Sequence, residues 1–301
     1  MPDAEITSPD PDQPVTVVTG ANSGIGRATA IHLASVGHHV VGTVRALEKA
    51  EKLMAMADGA GVAIELAVAD VADDESVARG FEEILGRAGR IDHLVNNAGV
   101  GGNAVVEEST SQMFLDVMNV NLCGATRCSA AVLPQMRERG SGTIVNVTSV
   151  AGRIGAPAQA PYVASKWALE GASEQLALEV APFGIRVAII EPGVTRSAIF
   201  AKNVDAPNST GAYDDAYRHM FQFYAAGMEQ ATDPVEVGRL VEHATTTDDP
   251  KLRYAVSWGG PEMSNQHDRI DPADWFALGA ATDDEEYARR FREIFDLDIT
   301  T

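Results

Sequence analysis

The feature that most constrains this chain is a rhythm. Short β-branched runs stand at 15–19, 40–44, 62–68, 91–95, 143–147 and 185–190. Longer segments with apolar residues at helical spacing separate them, as with Ala28, Ile31, His32, Leu33 and Val36. Strands alternating with helices read as βαβ units, which bury a parallel sheet under helices on both faces. Right-handed crossovers then favour a doubly wound sheet. A closed eight-stranded barrel is the main rival, but six or seven strands fall short of it. The expected class is α/β, a single doubly wound domain with a parallel sheet of about seven strands and helices on both faces.

After Pro192 the rhythm breaks. The stretch from Thr195 to Thr232 carries Phe200, Tyr213, Tyr217, Met220, Phe221, Phe223, Tyr224 and Met228. Tyr213, Tyr217, Met220, Tyr224 and Met228 recur at helical spacing and form one apolar stripe. A further helix is expected at 234–244 and a short strand at 253–257. The tail carries a second stripe of Tyr287, Phe291, Ile294 and Phe295. No internal repeat or low-complexity tract interrupts the chain.

Charge and cysteine content narrow the partners. There are 43 Asp and Glu against 23 Lys and Arg, a formal charge of −20. Phosphate-backbone binding needs a basic surface, so no nucleic-acid partner is expected. No run of about 18 apolar residues occurs, so no membrane span is expected. Residues 1–14 lack the basic start and apolar core of a secretory leader. Cys123 and Cys128 read as five apart on one helix, about 140° from each other, which disfavours a disulfide. A cytoplasmic location follows. The seven histidines show no metal-ligand spacing, so no metal is expected, and His219 reads as a surface residue.

The first strand runs into TGANSGIG (19–26), after which a helix begins. Glycines there let backbone approach a pyrophosphate closely, and the helix N-terminus offers unpaired N–H groups and partial positive charge. Gly20, Asn22, Ser23, Gly24, Ile25 and Gly26 are the candidate contacts. An NAD enzyme usually carries Asp or Glu at the end of the second strand, to accept from the ribose 2′-OH. Here that segment reads Gly42, Thr43, Val44, Arg45, with no acid. Arg45 can pair with a 2′-phosphate, so NADP(H) is favoured, with NAD(H) as the alternative.

Farther on stand NNAG (96–99), Asn121, Ser149, Tyr162 and Lys166. Tyr162 and Lys166 are four apart and share a helix face. An ammonium beside a phenol favours phenolate and is expected to lower the Tyr162 pKa from about 10. Ser149 ends the fifth strand, at the carboxyl edge where such sheets bind ligands.

In these residues the sequence resembles the short-chain dehydrogenase/reductase family from about Val15 to Trp258. The resemblance rests on TGANSGIG, Asp70 with Val71, NNAG, Asn121, Ser149, the Tyr162 and Lys166 pair, and Pro192, Gly193, Val194 and Thr195. It implies a Rossmann-like fold and an oxidoreductase acting on CH–OH groups. Tyr162 would be the general acid and base, and Ser149 would hold the substrate oxygen. Lys166 would bind the nicotinamide ribose and tune Tyr162, and Asn121 would hold a relay water. Asp70 and Val71 would contact adenine, and Asn97, Ala98 and Gly99 would line the cofactor. Pro192 to Thr195 would pack on the nicotinamide. Val44 and Arg45 resemble the NADP-preferring subgroup, and together with the long insert they suit enzymes of steroids and retinoids.

The expected organisation is a flexible arm (1–14), a catalytic domain (15–260) with a substrate lid at about 195–232, and a C-terminal extension (261–301). The aromatic stripe of the lid suits an apolar or aromatic substrate, and it also suits core packing. The tail stripe can cover the same cleft, meet a neighbouring subunit or pack on its own domain. Relatives associate through the helices after Asn121 and Tyr162. Leu133, Met136, Trp167, Leu169, Leu176 and Leu178 suit a homodimer or homotetramer, and equally burial against the sheet. Two other functions compete with this one. A non-catalytic NADP-binding regulator is disfavoured by intact Ser149, Tyr162 and Lys166. A sugar-nucleotide epimerase or dehydratase is disfavoured by length, NNAG and the glycine spacing.

Overall fold

The computed structural model describes residues 10–197 and 207–300. Seven parallel strands form one sheet: β1 (Val15–Val18), β2 (His39–Val44), β3 (Glu65–Val68), β4 (His93–Asn96), β5 (Gly142–Val147), β6 (Ile185–Pro192) and β7 (Arg253–Val256), in the order β3-β2-β1-β4-β5-β6-β7. Every expected strand is present. β3 is shorter than its β-branched run because pairing to β2 begins only at Glu65, opposite Val41.

Period-two alternation explains why both faces are buried. Val17, Val41, Leu94, Ile144 and Val187 lie in register and face one helical layer. Their neighbours Val18, Val40, Val95, Val145 and Ala188 face the other. The first layer is α3 (Asp74–Ala88), α5 (Gly124–Arg139) and α6 (Ala160–Val180), after α4 (Ser111–Met118). The second is α1 (Gly24–Ser35), α2 (Glu51–Gly59) and α8 (Pro234–Thr246). The order in which strands are added reverses between the neighbours β1 and β4. That switch opens a crevice at the carboxyl edge of the sheet.

One local departure from expectation matters. The helix read over Cys123 and Cys128 is composite, because Asn119–Cys123 winds as a π-helical turn before α5. Asn121, within this wider turn, is buried. Both thiols are free, and burial pushes that of Cys128 up to about 12.

The tail folds back onto the chain that precedes it. It comprises α9 (Gly260–Gln266), α10 (Pro272–Gly279) and α11 (Asp284–Phe295), following α7 (Asp214–Glu229). Asp271 and Asp283 cap the starts of α10 and α11 by accepting from backbone N–H groups. Tyr287, Phe291 and Phe295 then pack against Ile154, Ala226, Met263 and Leu278. Among the described residues no helix is long and apolar enough to cross a membrane.

Candidate active site

A cleft of about 530 Å³ lies along the carboxyl edge of the sheet. At one end stands the turn after β1. Gly20 takes a left-handed φ of 65°, and a Cβ there would lie 3.0 Å from Ala98 Cα. A Cβ on Gly26 would collide with the Asn97 side-chain amide and lie 2.6 Å from Gly20 O. That amide donates to Thr19 O at 2.9 Å, while Thr19 Oγ1 accepts from the N–H groups of Asn97 and Ala98, each at 3.0 Å. Thr19 therefore pins NNAG to the glycine turn. Thr19 stands in the motif, but its role as a pin shows only in the fold.

Gly20, Asn22, Ser23, Gly24 and Ile25 line the cleft, whereas Gly26 sits behind its wall. Ser23 is extended and caps α1 without a side-chain hydrogen bond, so the first N–H groups of the helix meet the cleft uncapped by it. Arg45 also lines the cleft, just beyond β2, and is exposed. Asp70 and Val71 follow β3 on the same side, where Asp70 Oδ1 accepts from Ala72 N at 3.1 Å. Asn97, Ala98 and Gly99 form the floor.

Toward the other end stand Ser149, Tyr162 and Lys166. Tyr162 and Lys166 share a face of α6, and Lys166 Nζ lies 5.8 Å from the Tyr162 ring centre. Nζ donates to Val147 O at 3.0 Å. Burial pulls the Lys166 pKa down to about 8, against the pull of the Glu170 carboxylate. The expected lowering of the Tyr162 pKa is not found. Burial pushes the phenol up, and only its hydrogen bond with Ser149 opposes that. Desolvation, which the sequence could not show, sets the direction.

Asn121 lies behind the wall. Its Oδ1 accepts from Val100 N at 2.8 Å, and its Nδ2 donates to Val100 O and Ser165 Oγ, each at 2.9 Å. Its amide thus ties the NNAG loop to α6, a structural task beside the water-holding one that the family resemblance implies. Pro192, Gly193, Val194 and Thr195 close the floor, held by a 2.7 Å bond between Thr195 Oγ1 and Ser257 Oγ.

Sequence reasoning missed Glu170, one helical turn beyond Lys166. It is buried, accepts from Thr148 Oγ1 at 2.5 Å and from Arg253 Nε at 3.0 Å, and burial raises its pKa. The four-residue spacing from Lys166 was the available signal. The aromatic end combines both apolar stripes: Phe223 and Tyr224 come from α7, Tyr287 and Phe291 from α11. Tyr217 and Met220 from the first stripe are core residues instead, and Phe200 falls outside the described residues. His219 is not on the surface as expected, because α11 covers it and stacks Tyr287 on its ring at 3.8 Å.

Comparison with known proteins agrees with this geometry. The family model described as short chain dehydrogenase matches residues 14–208. The chain is 37% identical over 254 residues to 17-beta-hydroxysteroid dehydrogenase type 1 of Mus musculus, covering 81% of this chain and 73% of that one. Among solved structures, a short-chain dehydrogenase from Streptomyces avermitilis superposes with a TM-score of 0.76 at 34% identity, covering 91% of this chain and all 100% of that one. An alcohol dehydrogenase from the archaeon Thermococcus sibiricus, complexed with 5-hydroxy-NADP, superposes with a TM-score of 0.68 at 25% identity, over 82% of this chain and 97% of that one. The chain belongs to the short-chain dehydrogenase family and is an oxidoreductase.

Proposed function

We propose that this protein is an NADP(H)-dependent oxidoreductase that interconverts a carbonyl and a secondary alcohol, with Tyr162 as general acid and base and an apolar or aromatic substrate. One observation carries the reading: Ser149, Tyr162 and Lys166 line the same cleft as the glycine turn.

The residues present fit a dinucleotide. Gly20 and Gly26 leave the backbone bare where side chains would collide, and α1 presents its N–H groups to a phosphate. Asn22, Ser23, Gly24 and Ile25 would surround the pyrophosphate. Asp70 and Val71 would hold adenine, and Asn97, Ala98 and Gly99 the middle of the molecule. Pro192 to Thr195 would pack on the nicotinamide, and Lys166 would hold its ribose. Arg45 supports a 2′-phosphate, since β2 ends without an acid and a guanidinium matches phosphate geometry. The relative complexed with 5-hydroxy-NADP supports the same preference. A bound nicotinamide supplies or accepts the hydride.

The chain's own part is proton transfer and shielding. Burial keeps the Tyr162 phenol protonated at neutral pH, poised to donate from Oη to a carbonyl oxygen. Ser149 Oγ donates to the same oxygen and stabilises the charge that builds there. The Lys166 ammonium, present below about pH 8, stabilises the phenolate left behind. Alcohol oxidation begins from that phenolate, whose formation burial opposes. Phe223, Tyr224, Tyr287 and Phe291 keep water from the reacting atoms and receive an apolar substrate.

Leu178 is 75% exposed and Trp167 43% exposed on α6, which supports association into a homodimer or homotetramer, whereas Met136 and Leu169 are buried in the chain itself. Two free cysteines suit the cytoplasm. The test is cofactor consumption with NADPH and NADH across ketones, aldehydes, quinones and steroid-like carbonyls. Saturable turnover of one class with NADPH preferred is expected. Failure of every class, or tighter use of NADH, contradicts the reading.

A further inference from the structure

A second chamber of about 300 Å³ adjoins the cleft. Gly155, Ala156, Pro157, Tyr287 and Phe291 line both spaces, so the two share a wall. The far side of the chamber is built by Ala216 and His219 of α7, Trp275 and Leu278 of α10, and Phe295 of α11. None of these far-side groups has a part in the proton chemistry above. The chamber is of the size at which small-molecule sites begin, about 300 Å³, and its lining is mostly apolar, as such sites require.

One polar side chain stands in the chamber wall. His219 is 4% exposed, yet its Nε2 has no hydrogen-bond partner among the described residues. Asp284 Oδ1 lies 3.5 Å away, beyond a good bond, and Arg218 Nε already holds that oxygen at 2.6 Å. That nitrogen is itself covered, so the chamber offers an occupant apolar contact rather than a hydrogen bond.

We propose that this chamber receives the distal apolar part of the substrate, so that the enzyme selects elongated ketones over small ones. This rests on the reductase reading above. With the carbonyl at Tyr162 and Ser149, the body of the substrate runs across the edge the two spaces share at Gly155, Ala156 and Pro157 and into the chamber. Burial of each methylene there strengthens binding by about fourfold.

The test is NADPH-dependent reduction of a methyl ketone series from 2-butanone to 2-undecanone. kcat/KM should rise with chain length by about 100-fold or more in total. Ala216→Phe fills the chamber from α7; it should abolish most of that rise and leave 2-butanone within about twofold, since a small ketone buries no methylene there. If that variant does not fold, Trp275→Ala removes a wall, and 2-undecanone alone should lose about fivefold or more as buried contact is lost. A flat wild-type series overturns the proposal, and so does a folded variant with the wild-type length profile. If no ketone is reduced at all, the reductase reading fails and the chamber is read by binding. 2-Undecanone should then quench tryptophan fluorescence saturably, with the signal lost in Trp275→Phe. Absence of saturable quenching overturns the chamber as a site.

Discussion

At the glycine end of the cleft the walls are backbone: Gly20, the bare N-terminus of α1 and the NNAG loop pinned by Thr19. At the aromatic end the walls are side chains, with Phe223, Tyr224, Tyr287 and Phe291 brought together by α7 and α11 from more than sixty positions apart. Backbone requirements select particular residues at particular spacings, and so they write a motif. An apolar wall accepts any large hydrophobe that fills the space, and so it writes only a periodicity. One end is therefore fixed by chemistry common to the family. On the function proposed above, the other end sets which substrate enters.

If the aromatic end is integral to the fold, removing its anchor should have the largest effect. Phe295→Ala, at a ring 1% exposed and 4.7 Å from Phe291, is expected to cost about 3–5 kcal/mol in denaturant unfolding. An unchanged midpoint would mean that the tail is an appendage. Ser149→Ala should lower kcat by about 10²–10³-fold, as loss of one oxyanion donor does, with the unfolding midpoint nearly unchanged. The two variants should thus separate, one affecting folding and the other chemistry. Arg45→Asp should move the NADPH:NADH preference by about tenfold or more, the strength of a charged hydrogen bond, without changing kcat. A preference left unmoved would dissociate Arg45 from cofactor choice.

A last effect concerns neither end. His93 lies at the opposite edge of the sheet, where burial holds its pKa down to about 4 and His38 stands 5.6 Å away. The unfolded chain takes up this proton first as pH falls below about 6.5, so stability is full above that value and is lost as pH drops toward 4. Thermal midpoints at pH 7.5, 6 and 5 should decline, and His93→Asn should flatten the decline. Reductase activity should instead fall on the alkaline side, above about pH 8, as Lys166 loses its charge. Coincident limbs would show that the activity profile merely reports unfolding.

Nearly the whole sheet was legible in the sequence, because a strand buried on both faces must be apolar at every position, as at Val17 and Val18. The residues of the glycine end were legible for the reason given above. What the sequence could not show were consequences of burial. The π-helical turn around Asn121 leaves no mark in composition. Neither does the desolvation that raises Tyr162 while its neighbouring ammonium should lower it. Tyr287, Phe291 and Phe295 were visible as a stripe, but their destination depended on how α11 crosses α7, a long-range fact. His219 was misread for the same reason: its neighbour in space is 68 positions away in the chain.

The most direct measurement is single-turnover reduction by Tyr162→Phe at neutral pH, with NADPH affinity measured on the same sample by fluorescence. The expected result is a rate lower by about 10²–10⁴-fold, the range supplied by a positioned acid, with cofactor affinity within a few fold of wild type. Turnover comparable to wild type would show that another group moves the proton, and that the phenol beside Lys166 only fills space.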